Sequence, residues 1–454
     1  MSVWELPQRE PSRFMRIRIR RSLFSFALCV AVMLIFPYAL EVHSSSAQGH
    51  SAPARITRVP RVHVAALKPG APSFAVAARR GIDELLGSGD HSIVGWRYVN
   101  GLWGGHIKPN WWQSALAMLT LVRYAERTHS LDPRYQHVLL RIYARNIYKP
   151  HSTARQDFAN EFNDDTAWWG LAWLEASRYE LYDRHDRAHA AKFLAVAEWD
   201  ARYINDARRT CGGIGWAINR PPDAVTSAEF IALTAELTRY RNSPGVFHDP
   251  VKASGWLADA TRALAWLEDE HLVDLRRGTV TDALTSSCKP KGGAMTYTEG
   301  EMADALVQLG NALHDPSYYA YAVNFLRYTL WPASRLVTHG VLQERCERRP
   351  GRCGQLGFHL DLPAYKGIFV NAVVDWSAAT RSRAFRSFLL AQAVAVLNNT
   401  IRGEREKPGR CATPQTCQFA FSWAGRTEPP SLGVTLGGQE SALDALTAVL
   451  PQGR

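Results

Sequence analysis

Asn163-Asp164-Asp165-Thr166-Ala167-Trp168-Trp169 places two adjacent carboxylates and then two indoles at the head of the helix-like run GLAWLEASRYELY. Two neighbouring carboxyl groups can divide proton transfer and nucleophilic attack between them, and flat indole faces hold sugar rings. That is the equipment of glycoside hydrolysis. An Asp-Asp pair alone has a simpler use: Asp is a preferred N-cap residue, and acidic residues in a first turn complement the helix dipole. The rest of the chain decides between these uses.

The elements that would position the pair are helical. Six segments begin with a polar or aromatic cluster and continue as a helix rich in small and apolar residues. They start near Asn110 (NWWQSALAMLTLVRYAE), Asp164, Thr226 (TSAEFIALTAELTRY), Tyr297 (YTEGEMADALVQLGNAL), Tyr365 (YKGIFVNAVVDWSAA) and Gly438 (GQESALDALTAVL). Between them lie helices with a more charged face, such as PRYQHVLLRIYARNIY and ASGWLADATRALAWLEDE, and SFAVAARRGIDELLG precedes the series. Small-residue helices suit a tightly packed inner ring, and amphipathic ones suit an outer ring wetted on one side. Strand alternation is scarce. The expectation is an all-α fold, an (α/α)6 toroid or barrel of six inner and six outer helices, occupying residues 74–454. An open solenoid would not explain a series that stops at six pairs.

In such a toroid the inner helices start at one face. Trp111, Trp112, Gln113, Asp164, Asp165, Trp168, Trp169, Thr226, Glu229, Tyr297, Glu299, Tyr365 and Lys366 would then gather at one mouth, as in a carbohydrate cleft. Each has an ordinary alternative. Indoles at helical spacing are commonly core, Glu299 and Glu301 suit a helix N-terminus, and Lys366 suits solvent.

The order of motifs resembles glycoside hydrolase family 76, the endo-α-1,6-mannanase family, over most of residues 80–450. WWQSA at Trp111, NDDTAWWGLAWL at Asn163, CGGIGW at Cys211 and AVTSAEFIALTAEL carry the likeness. TYTEG at Thr296, YKGIF at Tyr365 and QESALDALTAV complete it. The resemblance implies an (α/α)6 barrel and retaining hydrolysis of α-1,6-mannosidic bonds, with Asp164 as nucleophile and Asp165 as general acid/base. Trp112, Trp168, Trp169 and Trp216 become expected platforms or walls. Gln113, Tyr297, Glu299 and Lys366 become expected substrate contacts. No cofactor is implied, since two carboxylates suffice. Thr298-Glu299 stands where an Asn-Gln-like pair is usual and Ser227 where Asn is commoner, differences that bear on substrate length and branching.

Other readings fit less well. Epimerases of this shape use a His pair, whereas His106, His248, His339 and His359 fall away from the inner-helix starts. A transglycosidase acting on mannan or a mannose-containing envelope glycolipid would use the same two Asp. A non-catalytic mannan-binding protein would not need them.

Composition and leader bear on location. Of the net charge of +11, six Arg against three Glu in residues 1–47 contribute +3, leaving +8 on the rest. Without a Lys/Arg block beyond that leader, nucleic acid is not an expected partner, while an anionic envelope surface is compatible. Arg16, Arg18, Arg20 and Arg21 precede an apolar stretch at 23–40, and Ser45-Ser46-Ala47 offers small residues for cleavage. Residues 1–47 therefore read as a signal peptide or N-terminal membrane anchor of a secreted or cell-envelope protein. The Pro/Ala/Arg-rich segment 48–73 reads as a disordered linker. Cys29 lies in the leader, and the remaining six cysteines allow fifteen pairings. Cys346/Cys353 and Cys411/Cys417 each bracket a short Gly- or Pro-containing loop, so Cys211 would join Cys288. No metal site is expected from their spacing.

Overall fold

The computed structural model describes residues 62–87, 94–104, 110–148, 157–207, 209–349, 352–356, 360–402, 417–425 and 433–451. The expected leader, its apolar stretch and Cys411 lie outside these residues. Chain order gives α1 (Phe74–Leu86), α2 (Trp111–Thr128), α3 (Pro133–Asn146), α4 (Asn163–Tyr182), α5 (Arg187–Asn205) and α6 (Ala224–Asn242). There follow α7 (Pro250–Asp269), α8 (Thr296–Leu313), α9 (Ser317–Leu330), α10 (Leu362–Thr380), α11 (Arg386–Asn399) and α12 (Leu436–Thr447). No described helix is long and apolar enough to cross a membrane.

The even-numbered helices form a closed ring. Each packs on the next from α2 to α12, and α12 returns to α2. The fold is the (α/α)6 toroid, and the six inner helices are the six segments read from the sequence. Local chemistry explains the two layers. From Ala224 to Tyr240, α6 buries residues on every side, because it is walled by α4, α8 and the outer layer. Its outer neighbour α7 buries only Ala253, Trp256, Ala260, Ala263, Leu264 and Leu267, an i, i+3, i+4 stripe with solvent on the other side. Small residues let the inner helices approach: a Cβ on Gly300 of α8 would lie 2.9 Å from the Cα of Phe369 in α10. Asp132, Asp186 and Asp249 cap α3, α5 and α7 by accepting first-turn amides.

Short antiparallel two-residue strand pairs precede five of the inner helices (before α8 there are two), for example Arg209–Thr210 with Gly213–Ile214. A disulfide joins Cys211 to Cys288, and another joins Cys346 to Cys353, as the spacing predicts. Cys417 is disulfide-bonded. Residues 62–73, the described part of the expected linker, have no regular secondary structure but are tied down. The Lys68 amide donates to Asn398 Oδ1 at 2.9 Å, and Asn398 Nδ2 donates to the Ala66 carbonyl at 2.9 Å.

Candidate active site

Contacts between helix starts show how the ring builds a mouth. The Trp112 indole, at the start of α2, donates to Asp361 just before α10. Gln113 Nε2 donates to the Leu360 carbonyl at 3.1 Å. Tyr297 of α8 stacks on Tyr365 of α10, with ring centroids 4.0 Å apart and planes at 22°. The charge of Asp164 on α4 acts on Asp223 at the start of α6. The N-terminal ends of α2, α4, α6, α8 and α10 therefore meet at one end of the ring.

The start of α4 is braced by the Gly-Gly-Ile-Gly-Trp segment. Asn163 donates its amide to the Trp216 carbonyl at 2.9 Å and its Nδ2 to the Gly215 carbonyl at 2.7 Å. Gly215 has to be glycine for the turn that follows it, since a Cβ there would meet the Arg220 carbonyl oxygen at 2.5 Å. The residue in the capping position is Phe162, whose side chain caps nothing. The two carboxyls that follow it are thus not acting as N-caps.

Asp164 and Asp165 keep some exposed surface while protein walls them on most sides. Asp164 Oδ1 accepts the Asp165 amide at 2.9 Å, and Asp165 Oδ2 accepts Asn160 Nδ2 at 2.7 Å. Burial, then the neighbouring charge of Asp165, pushes Asp164 well above the usual carboxylate range. Burial, reinforced by the charges of Asp361 and Glu161 and opposed by the Asn160 hydrogen bond, pushes Asp165 up to about 7. Neighbouring carboxyls in a walled pocket resist double ionisation, so around neutral pH the pair retains a proton. One member can then act as an acid while the other carries charge.

Further groups line the same mouth. Asp223 accepts the Thr226 amide as the cap of α6, and burial together with the charge of Asp164 pushes it up to about 8. Burial raises Asp282, with Lys291 opposing. Trp112 and Tyr297 pack as partly buried members of a small apolar cluster with Tyr365, Leu362 and Phe421. Asn160, Asp223, Asp282 and Asp361 escape a reading of the sequence. Asp223 and Asp361 do carry a signal, each standing immediately before an inner helix, but Asp282 sits in an irregular loop with none.

Of the expected substrate contacts, Trp112, Trp216 and Tyr297 are partly exposed, and Trp216 stacks on Phe162 at 5.5 Å. Gln113 is buried and engaged with Leu360. The structure corrects four expectations. Trp169 is fully buried against Trp111, Phe158 and Trp173 because it points into the layer between inner and outer helices. Trp168, 7% exposed, points down the ring axis, where it lines an interior cavity with Leu116, Thr120 and Glu301. Glu299 is fully buried and accepts Val280 N and Thr298 Oγ1, holding a strand pair to α8. Lys366 is fully buried, donating to Glu347 at 2.9 Å and to the Phe421 carbonyl at 2.7 Å. These side chains support the mouth without facing it.

One group among the described residues has metal-ligating geometry: Glu180, Asp186 and His189. It lies at the opposite end of α4, where Asp186 caps α5 and pairs with His189 at 2.6 Å, a structural use.

Comparison with known proteins agrees with this architecture. Residues 97–453 match glycosyl hydrolase family 76. Over 295 residues the chain is 24% identical to mannan endo-1,6-alpha-mannosidase DCW1 of Candida glabrata, spanning 60% of each chain. A solved structure of an inactive variant of the alpha-1,6-mannanase GH76A of Salegentibacter sp. HEL1_6 has two consecutive aspartates changed to asparagine and binds alpha-1,6-mannotriose. It aligns with a TM-score of 0.59 at 20% identity, covering 83% of this chain and 98% of that one. Dfg5 of Chaetomium thermophilum, solved with glucosamine, aligns with a TM-score of 0.63 at 20% identity, covering 83% and 90%. At these identities the two structures establish a shared fold.

Proposed function

Because the chain belongs to glycosyl hydrolase family 76, we propose that it cleaves α-1,6-mannosidic bonds in a mannose polysaccharide or glycolipid, with retention of configuration. The observation that carries this reading is the Asp164–Asp165 pair: two adjacent carboxyls at the start of an inner helix, neither serving as its N-cap, walled by protein and raised by burial. The Salegentibacter relative supports it, since its inactive variant lacks two consecutive aspartates.

Asp164 is assigned as the nucleophile from the likeness of NDDTAWW to the family motif; burial and the charge of Asp165 raise its carboxyl, and the Asp165 amide, donating to it, opposes that rise. Asp165, with one oxygen held by Asn160, presents the proton to the glycosidic oxygen as the bond to C1 breaks. A mannosyl ester on Asp164 results. Asp165, now ionised, takes a proton from water, which attacks C1 from the face the leaving group left, giving retention. Trp112, Trp216 and Tyr297 supply partly exposed rings to hold the sugars. The disulfides Cys211–Cys288 and Cys346–Cys353 support action outside the cytosol.

The test is incubation of the chain from residue 48 with linear α-1,6-mannan, beside Asp164→Asn, with products separated by chromatography. Short mannooligosaccharides from the wild type alone, with the α-anomer formed first, support hydrolysis with retention. Products longer than the substrate indicate that a sugar hydroxyl, not water, resolves the ester, making the protein a transglycosidase. Binding without turnover by folded wild type would leave a mannan-binding protein and refute the reading.

A further inference from the structure

Asp361 occupies the cap position of α10, yet its side chain caps no amide there. The local sequence explains why. The second helical residue, Pro363, has no N–H to cap, and the Ala364 amide is already taken by the Asp361 carbonyl at 3.0 Å. Its side chain instead reaches across the ring to α2. Oδ1 accepts the indole N–H of Trp112 at 3.2 Å, across 249 residues of sequence. Asp361 also acts electrostatically on Asp165, Asp164 and Tyr365. Asp165 faces Asp361 from α10, Glu161 from the loop before α4, Glu229 from α6 and its neighbour Asp164; all are acidic.

We propose that Asp361 is a positioning residue with two separable tasks: it fixes the Trp112 indole as a sugar-holding wall, and its charge favours the protonated form of Asp165. The inference rests on Asp165 being the acid of the reaction. The two tasks use different properties of one side chain. Holding the indole needs only an acceptor oxygen, whereas protecting the proton needs the negative charge.

Substitutions at Asp361 and Trp112 separate the tasks. Asp361→Asn keeps an acceptor for Trp112 and removes the charge. The alkaline limb of kcat/KM on α-1,6-mannan should move to lower pH by about 0.5–1 unit, at the low end of what a nearby charge does, with KM unchanged. Asp361→Ala should show the same limb and a severalfold higher KM. Trp112→Phe, which keeps a ring but not the donor, should raise KM without moving the limb. If Asp361→Ala does not fold by circular dichroism, the other two variants still separate charge from hydrogen bond.

A substrate-free readout keeps this apart from the assignment of the activity. Carboxyl titration by 13C NMR on full-length protein labelled at aspartate, with the Asp165 signal assigned by Asp165→Asn, should show Asp165 titrating lower in Asp361→Asn. An unmoved Asp165 signal overturns the proposal whether or not mannan is cleaved. A moved signal in a protein that does not cleave mannan supports the electrostatic task and refutes only the substrate. Equal KM in all three variants and wild type overturns the task assigned through Trp112.

Discussion

At the C-terminal ends of the inner helices, Arg178 lies 3.1 Å from Glu175 and 3.3 Å from Glu236, Arg123 lies 3.7 Å from Asp375, and Arg239 donates to Gln308 at 3.0 Å. These side chains ring a cavity of about 630 Å³. Burial pushes Glu175 up, but Arg178 and Arg123 more than offset it and hold its carboxyl below the usual range; burial raises Glu236 and Asp375, with Arg178 and Arg123 opposing. At the N-terminal ends the carboxylates have different company. Among the described residues, no Lys or Arg nitrogen comes within 4 Å of Asp164, Asp165 or Asp223, and all three carboxyls are pushed up. The acids at the N-terminal ends and the arginines at the C-terminal ends suit the helix dipole; Glu175, Glu236 and Asp375 at the C-terminal ends do not, and there arginines stand beside them. Only the far end then matches its charges with partners. Unmatched, partly buried carboxylates are costly, and they stand where protonation can do chemistry.

Exchanging these regimes should give unequal effects. The largest is expected at the mouth: Asp164→Asn and Asp165→Asn should each lower kcat about 10³-fold or more, with near-native circular dichroism. Near-native turnover of mannan by either variant would remove it from the mechanism. Lys366→Met should act on stability and leave KM alone, because Glu347 is left buried without its cation. A loss of about 3–5 kcal/mol is expected in chemical denaturation, and an unchanged midpoint with raised KM would return Lys366 to the list of substrate contacts.

Arg178→Met should break the far-end pairs with Glu175 and Glu236. Its side chain is 37% exposed, so solvent screening reduces the expected loss to about 2 kcal/mol. Catalysis at the other end should be untouched; a matching drop in kcat would show that the two ends are coupled.

A further effect joins pH and stability. The folded pKa of Asp165, about 7, lies above its ordinary value of 3.8, so the native state keeps this proton longer than the unfolded chain. Stability from this group accordingly falls as pH rises between those values. Asn does not titrate. The Tm of Asp165→Asn should match wild type near pH 4 and exceed it by a few degrees near pH 8; a difference of the same size at both would exclude titration as its source.

The helices were legible because periodicity and residue size report which layer a helix joins. TSAEFIALTAEL could serve only where it is buried all round, and ASGWLADATRALAWLEDE only where one face is wet. The carboxylate pair was legible because adjacent carboxylates before an aromatic run are uncommon and their motif order resembles a family. The walls of the site were less so. Trp168 and Trp169 look equivalent in sequence, but a 100° step around a helix sends one toward the axis and the other into the interlayer core. Lys366 looks like a solvated lysine until Glu347 and the Phe421 carbonyl, contributed by distant loops, close over it.

The order of small-residue and amphipathic helices, the adjacency of Asp164 and Asp165, and the Cys346–Cys353 pairing belong to the sequence, since each depends on composition or spacing along a short stretch; Cys211–Cys288, 77 residues apart, follows by elimination. Whether a carboxylate meets an arginine or another acid belongs to the tertiary structure. Asp361 and Trp112 are 249 residues apart, and only closure of the ring brings them together. Electrostatic environment depends on distance through space, and no local pattern encodes it.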